Sequence, residues 1–361
     1  MDSDPALVAD PDDVTAAWLT DVLRHAGAID HGTAVAGLEA TPIGTGQVGA
    51  NIRYALTYTD GRGPGSIVCK FSSRDPQSAA TGVFALTYET EVAFYRELAD
   101  RVEISRPDCY FAAIEPGTAQ VVLVLEDVAP AAQGDQLAGC TIEQAALAVD
   151  EAAKLHGPRW GDPALTRWDR SEMAGLVASA YDAMWAAFID RYATVLDDVV
   201  LEAGEQLIAC VASTFDPPST STGTLVHFDY RLDNMLFRTD PAARRPLVVV
   251  DWQTVQLGRG AGDIAYFLGT ALEPPLRRRT EEALISQYHR ALVEHGVTGY
   301  PSEQCWDDYR RSSFNGLRMA VLASLGVGRT ERGDAMFATM AKRSAQMAID
   351  LDAREVAQRG P

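Results

Sequence analysis

Residues His227–Asp251 read HFDYRLDNMLFRTDPAARRPLVVVD. Leu225-Val226 leads in as a short apolar run. His227, Asp229 and Asn234 follow, then a turn region rich in Asp, Pro and Arg, then the apolar run Leu247–Val250, which ends on Asp251. The apolar runs predict short strands joined by a tight return. Strands paired in this way bring Asp229, Asn234 and Asp251 towards one point. Two carboxylates and an amide converging there suit a hard cation such as Mg²⁺ and leave one carboxylate to act as a base.

Working outward, 361 residues are long for one simple core and predict two lobes. Hydrophobic residues at 47% and charged residues at 22% place the chain among ordinary globular proteins. The net charge of −19 argues against a nucleic-acid partner, since phosphate binding needs a basic face. Such acidity suits a cationic substrate, although solubility alone explains it equally well. Five cysteines without a CxxC pair indicate neither a zinc site nor a disulfide framework, which fits a reducing, cytoplasmic setting. The acidic start MDSDPALVADPDD lacks the basic and apolar regions of a secretory signal, and no apolar run approaches a membrane span. The sequence carries no signature of an oligomeric state.

In chain order, an amphipathic helix is expected over about 12–26, with Val14, Trp18, Val22 and Leu23 towards one face. Strands follow between Leu38 and Phe71. Gly44, Gly46 and Gly49 lie between two of them, where backbone N–H groups can cover phosphates or simply form a hairpin. Lys70 sits within the strand Ser66–Phe71, where a buried charge demands a partner. The next helix, about 83–101, offers two glutamates. Glu91 shares a face with Phe84, Tyr88, Tyr95 and Leu98, whereas Glu89 lies opposite with Arg96 and Asp100. A glutamate within an apolar stripe needs a cation, and Lys70 is the expected one. Strands at Cys109–Ile114 and 120–125 lead into Glu126-Asp127-Val128. The loop that follows has exposed backbone groups able to hydrogen-bond an adenine edge. From Thr141, whose Thr-Ile-Glu-Gln run fits a capping box, the chain is mainly helical. His156 is read as structural, and Asp263 as a helix-starting carboxylate.

The motif His227-x-Asp229-x-x-x-x-Asn234 followed by Asp251 resembles that of the aminoglycoside phosphotransferase and choline kinase superfamily. Within it, HFDYRLDN and VVVDWQ are most similar to the ecdysteroid kinase-like branch and to the phosphotransferase domains associated with acyl-CoA dehydrogenases. The resemblance runs from about Gly44 to about Leu272, with the parts in matching order. It implies an α+β, protein-kinase-like two-lobe fold: an N-terminal sheet lobe with one key helix (1–128) and a larger, mainly helical lobe (129–361). It implies a kinase using ATP and Mg²⁺ on a small-molecule hydroxyl. Asp229 would be the catalytic aspartate, while Asn234 and Asp251 would hold Mg²⁺. Lys70, positioned by Glu91, would meet the α- and β-phosphates. Gly46 and Gly49 would cover the nucleotide, and Glu126 and Val128 would flank the adenine. His227 would support the loop and Asp263 would brace it.

One residue departs from the pattern: Phe228 stands where the family usually has glycine, a residue free to adopt backbone angles that Phe resists. GTGQVGAN also fits no strict phosphate-loop pattern. The acceptor is open between an antibiotic, a steroid-like alcohol, a hydroxyacyl thioester and an amino alcohol. A pseudokinase is the rival class. A metal-dependent hydrolase lacks a histidine ligand set.

Overall fold

The computed structural model describes residues 4–44, 49–76, 79–80, 82, 85–215, 218–219, 221–240 and 243–359. Gly46, in the glycine-rich loop, and Phe84, in the helical stripe, lie outside these. The architecture is α+β, with two compact units. One unit runs to Asp100 and adds Arg106–Pro130 and Asp251–Gln253; the other holds Arg101–Ser105, Ala131–Val250 and the chain from Thr254 onward.

The first unit is built on an antiparallel sheet of β1 (Val35–Ile43), β2 (Gly49–Tyr58), β3 (Ser66–Ser72), β4 (Cys109–Ile114) and β5 (Val121–Glu126), in the order β1-β2-β3-β5-β4. β3 alternates strictly: Ile67, Cys69 and Phe71 are buried, and Lys70 points to the other face. The Cys69 side packs on α1 (Ala16–His25) through Trp18, Leu19, Val22 and Leu23, which form one core with Tyr54, Val122 and Val124. Thr15 starts this helix by accepting the Trp18 N–H at 3.1 Å. The unbroken apolar run of β5 reflects its interior place between β3 and β4, with five residues buried in succession.

The described part of the next helix, α2, covers Thr87–Ala93 and widens into a π-turn over Phe94–Leu98. Tyr88, Glu91, Tyr95 and Leu98 are buried, and Arg96 and Asp100 are exposed, as the helical wheel predicts. Regular periodicity does not foretell the π-turn.

The second unit is mainly helical. Its long elements are α3 (Ile142–His156), α4 (Ser171–Tyr192), α5 (Asp198–Ile208), α6 (Gly260–Ala271), α7 (Pro274–Glu294), α8 (Ser302–Arg311), α9 (Asn315–Gly326) and α10 (Glu331–Asp350). One core joins Tyr181, Trp185 and Phe188 of α4 to Leu207 of α5, Tyr266 of α6, Leu317 and Val321 of α9, and Phe337 and Met340 of α10. Gly204 allows α5 to approach α4, since a Cβ there would lie 1.9 Å from the Trp185 ring.

Short strands frame the decisive stretch. β6 (Ala131–Gln133), β7 (Thr224–Val226), β8 (Met235–Arg238), β9 (Leu247–Val249) and β10 (Gln256–Gly258) form a three-stranded sheet β6-β8-β9 and a pair β10-β7. The two apolar runs read from the sequence are strands but do not pair with each other: β7 pairs with β10, Val226 opposite Gln256, and β9 pairs with β8, Val249 opposite Met235, a strand that carries no mark in the sequence pattern. The loop from His227 to Asn234 is thereby suspended between β7 and β8.

Thr141 and Gln144 form the predicted capping box on α3: each backbone N–H donates to the other's side chain, at 3.1 and 3.2 Å. Thr141→Ala is expected to lower stability by about 1 kcal/mol, read as a lower denaturant midpoint with an unchanged far-UV spectrum.

Candidate active site

In the sheet unit, Lys70 meets the partner expected from the wheel. Its Nζ lies 2.7 Å from Glu91 Oε2 and 2.8 Å from Asp251 Oδ1. Glu91 is only 2% exposed and also accepts the Trp252 N–H at 3.2 Å. Burial alone would lower the Lys70 pKa, but Asp251 and Glu91 outweigh it and hold the ammonium above its ordinary value. Trp252 stacks on Phe94 with ring centroids 4.1 Å apart, seating the tripeptide Asp251–Gln253 against the π-turn. Asp251 itself has a left-handed backbone, φ +71°.

Gly49 opens β2 opposite Ser72, where a Cβ would come within 2.9 Å of the Phe71 carbonyl. The position therefore excludes a side chain unless the strand shifts. At the end of β5, Glu126 exchanges hydrogen bonds with Asp108: its N–H donates to the Asp108 carbonyl at 2.8 Å, and its carboxylate accepts the Asp108 N–H at 3.1 Å. Val128 is buried. Between them Asp127 accepts from Arg53 Nε at 2.7 Å, Ser66 Oγ at 2.6 Å and the Ala129 N–H at 3.2 Å. This anchor fixes the start of the 126–130 segment. Its partners are remote in sequence, so no local pattern announces it.

In the helical unit, Asp229 is held by three side chains. Arg231 Nε donates to its two oxygens at 3.1 and 3.2 Å, Tyr266 Oη to Oδ1 at 2.9 Å, and Asn234 Nδ2 to Oδ2 at 2.9 Å. Burial alone would raise the Asp229 pKa, but Arg231, His227 and the hydrogen bonds from Tyr266 and Asn234 bring it below the usual carboxylate value. Asp229 is thus kept as a carboxylate, the form a base requires. Tyr266 and Arg231 were not singled out by sequence reasoning. Tyr266 could have been found as the residue one helical turn beyond Asp263, and Arg231 lies inside the motif itself.

Asp263 organises the loop. Its buried carboxylate accepts the His227 N–H at 2.7 Å through Oδ2 and the Phe228 N–H at 2.9 Å through Oδ1. His156 Nε2 lies 3.2 Å from the same Oδ2, and His156 Nδ1 lies 2.7 Å from the Tyr288 hydroxyl, which gives that histidine a structural place. His227 Nε2 donates to the Val250 carbonyl at 3.1 Å, and Thr254 Oγ1 donates to the His227 carbonyl at 2.8 Å. The loop is therefore tied to α6, β9 and β10 at once.

This bracing accounts for Phe228. Its φ is +68°, the left-handed conformation that the usual glycine adopts freely. A side chain there costs about 1–2 kcal/mol, and the two charge-assisted bonds that the His227 and Phe228 N–H groups donate to Asp263 offset it. The Phe228 ring lines a cavity of about 200 Å³ within the helical unit.

As for a metal, the described residues contain no cluster of three or more His, Cys, Asp or Glu able to form a protein cage. Taken separately, Asn234 in the helical unit spends its Nδ2 on Asp229 and keeps an amide oxygen, and Asp251 in the sheet unit carries a carboxylate beside Lys70; each is an oxygen donor of the kind Mg²⁺ takes.

Substitutions at Phe228 test the strain. Phe228→Ala and Phe228→Gly remove the same ring contacts, yet the glycine variant is expected to be more stable by about 1 kcal/mol, because only alanine retains a Cβ at positive φ. Urea midpoints of the two variants measure the difference.

Residues 164–297 match the sequence model of the ecdysteroid kinase-like family. No curated protein sequence matches the chain. Among solved structures, a candidate aminoglycoside phosphotransferase from Ralstonia eutropha JMP134 aligns with a TM-score of 0.53 at 16% identity, over 95% of this chain and 98% of its own. Choline kinase from Cryptosporidium parvum Iowa II aligns with a TM-score of 0.53 at 11% identity, over 88% and 91%. A microcompartment-associated aminopropanol kinase aligns with a TM-score of 0.50 at 14% identity, over 89% and 95%. The chain thus carries an ecdysteroid kinase-like segment on the protein-kinase-like fold of the aminoglycoside phosphotransferases and choline kinases.

Proposed function

We propose that this protein is a small-molecule kinase that transfers the γ-phosphoryl group of ATP to a hydroxyl. The observation that carries this reading is Asp229. It is a carboxylate held unprotonated by Arg231, Tyr266 and Asn234, on a loop braced by Asp263. The names of the structural neighbours agree, since choline and aminopropanol both offer an alcohol as acceptor.

Asp229 accepts the proton of the acceptor hydroxyl as its oxygen attacks the γ-phosphorus and the bond to the β-phosphate oxygen breaks. Lys70 brings a fixed positive charge to the α- and β-phosphates, and Glu91 keeps it in place. Gly49, with Gly46, lets backbone approach the phosphates, and the Glu126–Val128 segment meets the adenine. Asn234 and Asp251 are the residues that would hold Mg²⁺, whose chemistry is to neutralise phosphate charge. Transfer of this kind depends on alignment and charge neutralisation more than on covalent help.

Asp229→Asn is expected to reduce kcat by about 10²–10⁴-fold, the usual worth of general-base catalysis, while ATP still binds. Phosphorylated product followed by mass spectrometry, beside nucleotide binding by calorimetry, checks both. Undiminished turnover in the variant would remove Asp229 from the mechanism, and ATP binding without turnover on a wide acceptor panel would favour a pseudokinase.

The pH profile provides an independent test. The Asp229 pKa is depressed, so its base form persists above the ordinary carboxylate range and is lost only as pH falls through the lowered value. No acid limb from Asp229 is expected between about pH 5 and 8. Arg231→Gln removes the nearest cation, so the limb moves to higher pH. An unmoved limb in kcat/KM would contradict the assignment.

A further inference from the structure

The cavity lined by Phe228 contains an anomaly. Arg318, on α9, is 4% exposed and meets no carboxylate among the described residues. Its Nη1 donates to the Thr214 carbonyl at 2.8 Å and to Thr214 Oγ1 at 3.2 Å, and its Nη2 donates to Asn315 Oδ1 at 3.0 Å. The guanidinium lies over the Phe215 ring at 4.2 Å and the Phe228 ring at 6.0 Å. Its Nε has no hydrogen-bond partner among the described residues. Each of these neighbours is neutral, so the charge is taken from water without being cancelled, which is costly. Burial brings its pKa down to about 10, as desolvation without a counter-charge does.

Other buried arginines of the same unit are treated differently. Arg277 meets Glu281 at 2.6 Å and also Asp350, and Arg343 meets Glu273. The charge lining the cavity also runs against the chain as a whole. Arg170, Arg259, Arg311 and Arg318 outnumber Asp169 and Asp263, in a protein of net charge −19. The two aspartates are committed, Asp263 to the loop N–H groups and Asp169 to the Ser171 N–H at 2.8 Å and hydroxyl at 3.1 Å; Arg170, Arg259 and Arg311 have partners of their own, so the weight falls on Arg318. The rest of the wall includes Met173, Val177, Phe215, Leu257 and Leu322, all apolar.

We infer that the cavity receives the carboxylate end of the phosphate acceptor, with Arg318 as its specificity-determining residue. The acceptor class is then a compact hydroxy-carboxylate with an apolar body, not a cationic amino alcohol or aminoglycoside. The carboxylate completes the Arg318 fork, and the apolar body lies along Met173, Val177 and Leu257. Phe228 lines the cavity and Asp229 follows it directly, about 3.8 Å away along the chain, so a hydroxyl at the far end of a short acceptor comes within reach of the loop. This inference rests on the kinase reading above.

The test uses three acceptors of one length, each with a terminal hydroxyl: hydroxyhexanoate, hexanediol and aminohexanol. Each is incubated with Mg-ATP and the full-length protein, and kcat/KM is measured from phosphorylated product. Hexanoate binding is measured separately by calorimetry without nucleotide. Hydroxyhexanoate is expected to exceed the other two by about tenfold or more, the scale of one hydrogen bond to a charged group. Arg318→Gln is expected to erase that ratio and Arg318→Lys to keep part of it. A misplaced helix would lower all three acceptors together and leave the ratio intact. If Arg318→Gln does not fold, the wild-type ratio and the Lys variant decide. Equal or better turnover of hexanediol or aminohexanol overturns the inference and leaves the kinase reading standing. Hexanoate binding that depends on Arg318, with no acceptor phosphorylated, upholds the carboxylate-binding cavity and removes the kinase reading. The absence of both hexanoate binding and a carboxylate preference overturns the inference.

Discussion

The buried carboxylate of Asp263 is the constraint on which the loop depends. It accepts two consecutive backbone N–H groups, from His227 and Phe228, and so dictates the direction in which the chain leaves β7. A charged acceptor in a low-dielectric setting makes these bonds stronger than ordinary amide pairs. They hold a phenylalanine in a conformation that would otherwise favour glycine. His156 and Tyr288 fix the orientation of the carboxylate, and Tyr266, one turn further along α6, reaches the Asp229 side chain. A single helix thus both shapes the loop and holds the residue it presents.

Buried cations are handled in two ways in this chain. Lys70 shares its charge with two carboxylates, and the resulting group is stable because desolvation is offset on both signs. Among the described residues, Arg318 has only neutral acceptors and aromatic faces. The large excess of acid on the chain therefore says little about the charge that a ligand meets locally. Net charge is a sum over the whole molecule, whereas recognition depends on the few groups within a Debye length of the bound molecule.

Much of the framework was legible in the sequence because it is local. Alternation along β3 separates Lys70 from Cys69, a helical wheel separates Glu91 from Glu89, and a four-residue capping box marks Thr141. Phe228 was legible as a conformational conflict, and the chain resolves it by keeping the glycine-like angle. What stayed hidden is long-range. The Arg53–Asp127–Ser66 anchor, the Tyr266 hydroxyl on Asp229 and the bond from Arg318 to Thr214 join residues 37 to 104 positions apart, and nothing in periodicity ties such partners together. The π-turn at Phe94–Leu98 is hidden for another reason: the same residues would suit an α-helix, and stacking against Trp252 involves a segment far along the chain.

That segment has a consequence for how the protein is made. Asp251–Gln253 belongs with the sheet unit, although all the rest of that unit lies before Pro130. Until the ribosome has delivered this tripeptide, Lys70 lacks one of its two carboxylates, Glu91 lacks the Trp252 N–H, and the face of Phe94 lacks its cover. The N-terminal sheet cannot reach its finished state as an autonomous early product of translation. Its completion waits for a segment that emerges about as late as the loop bearing Asp229.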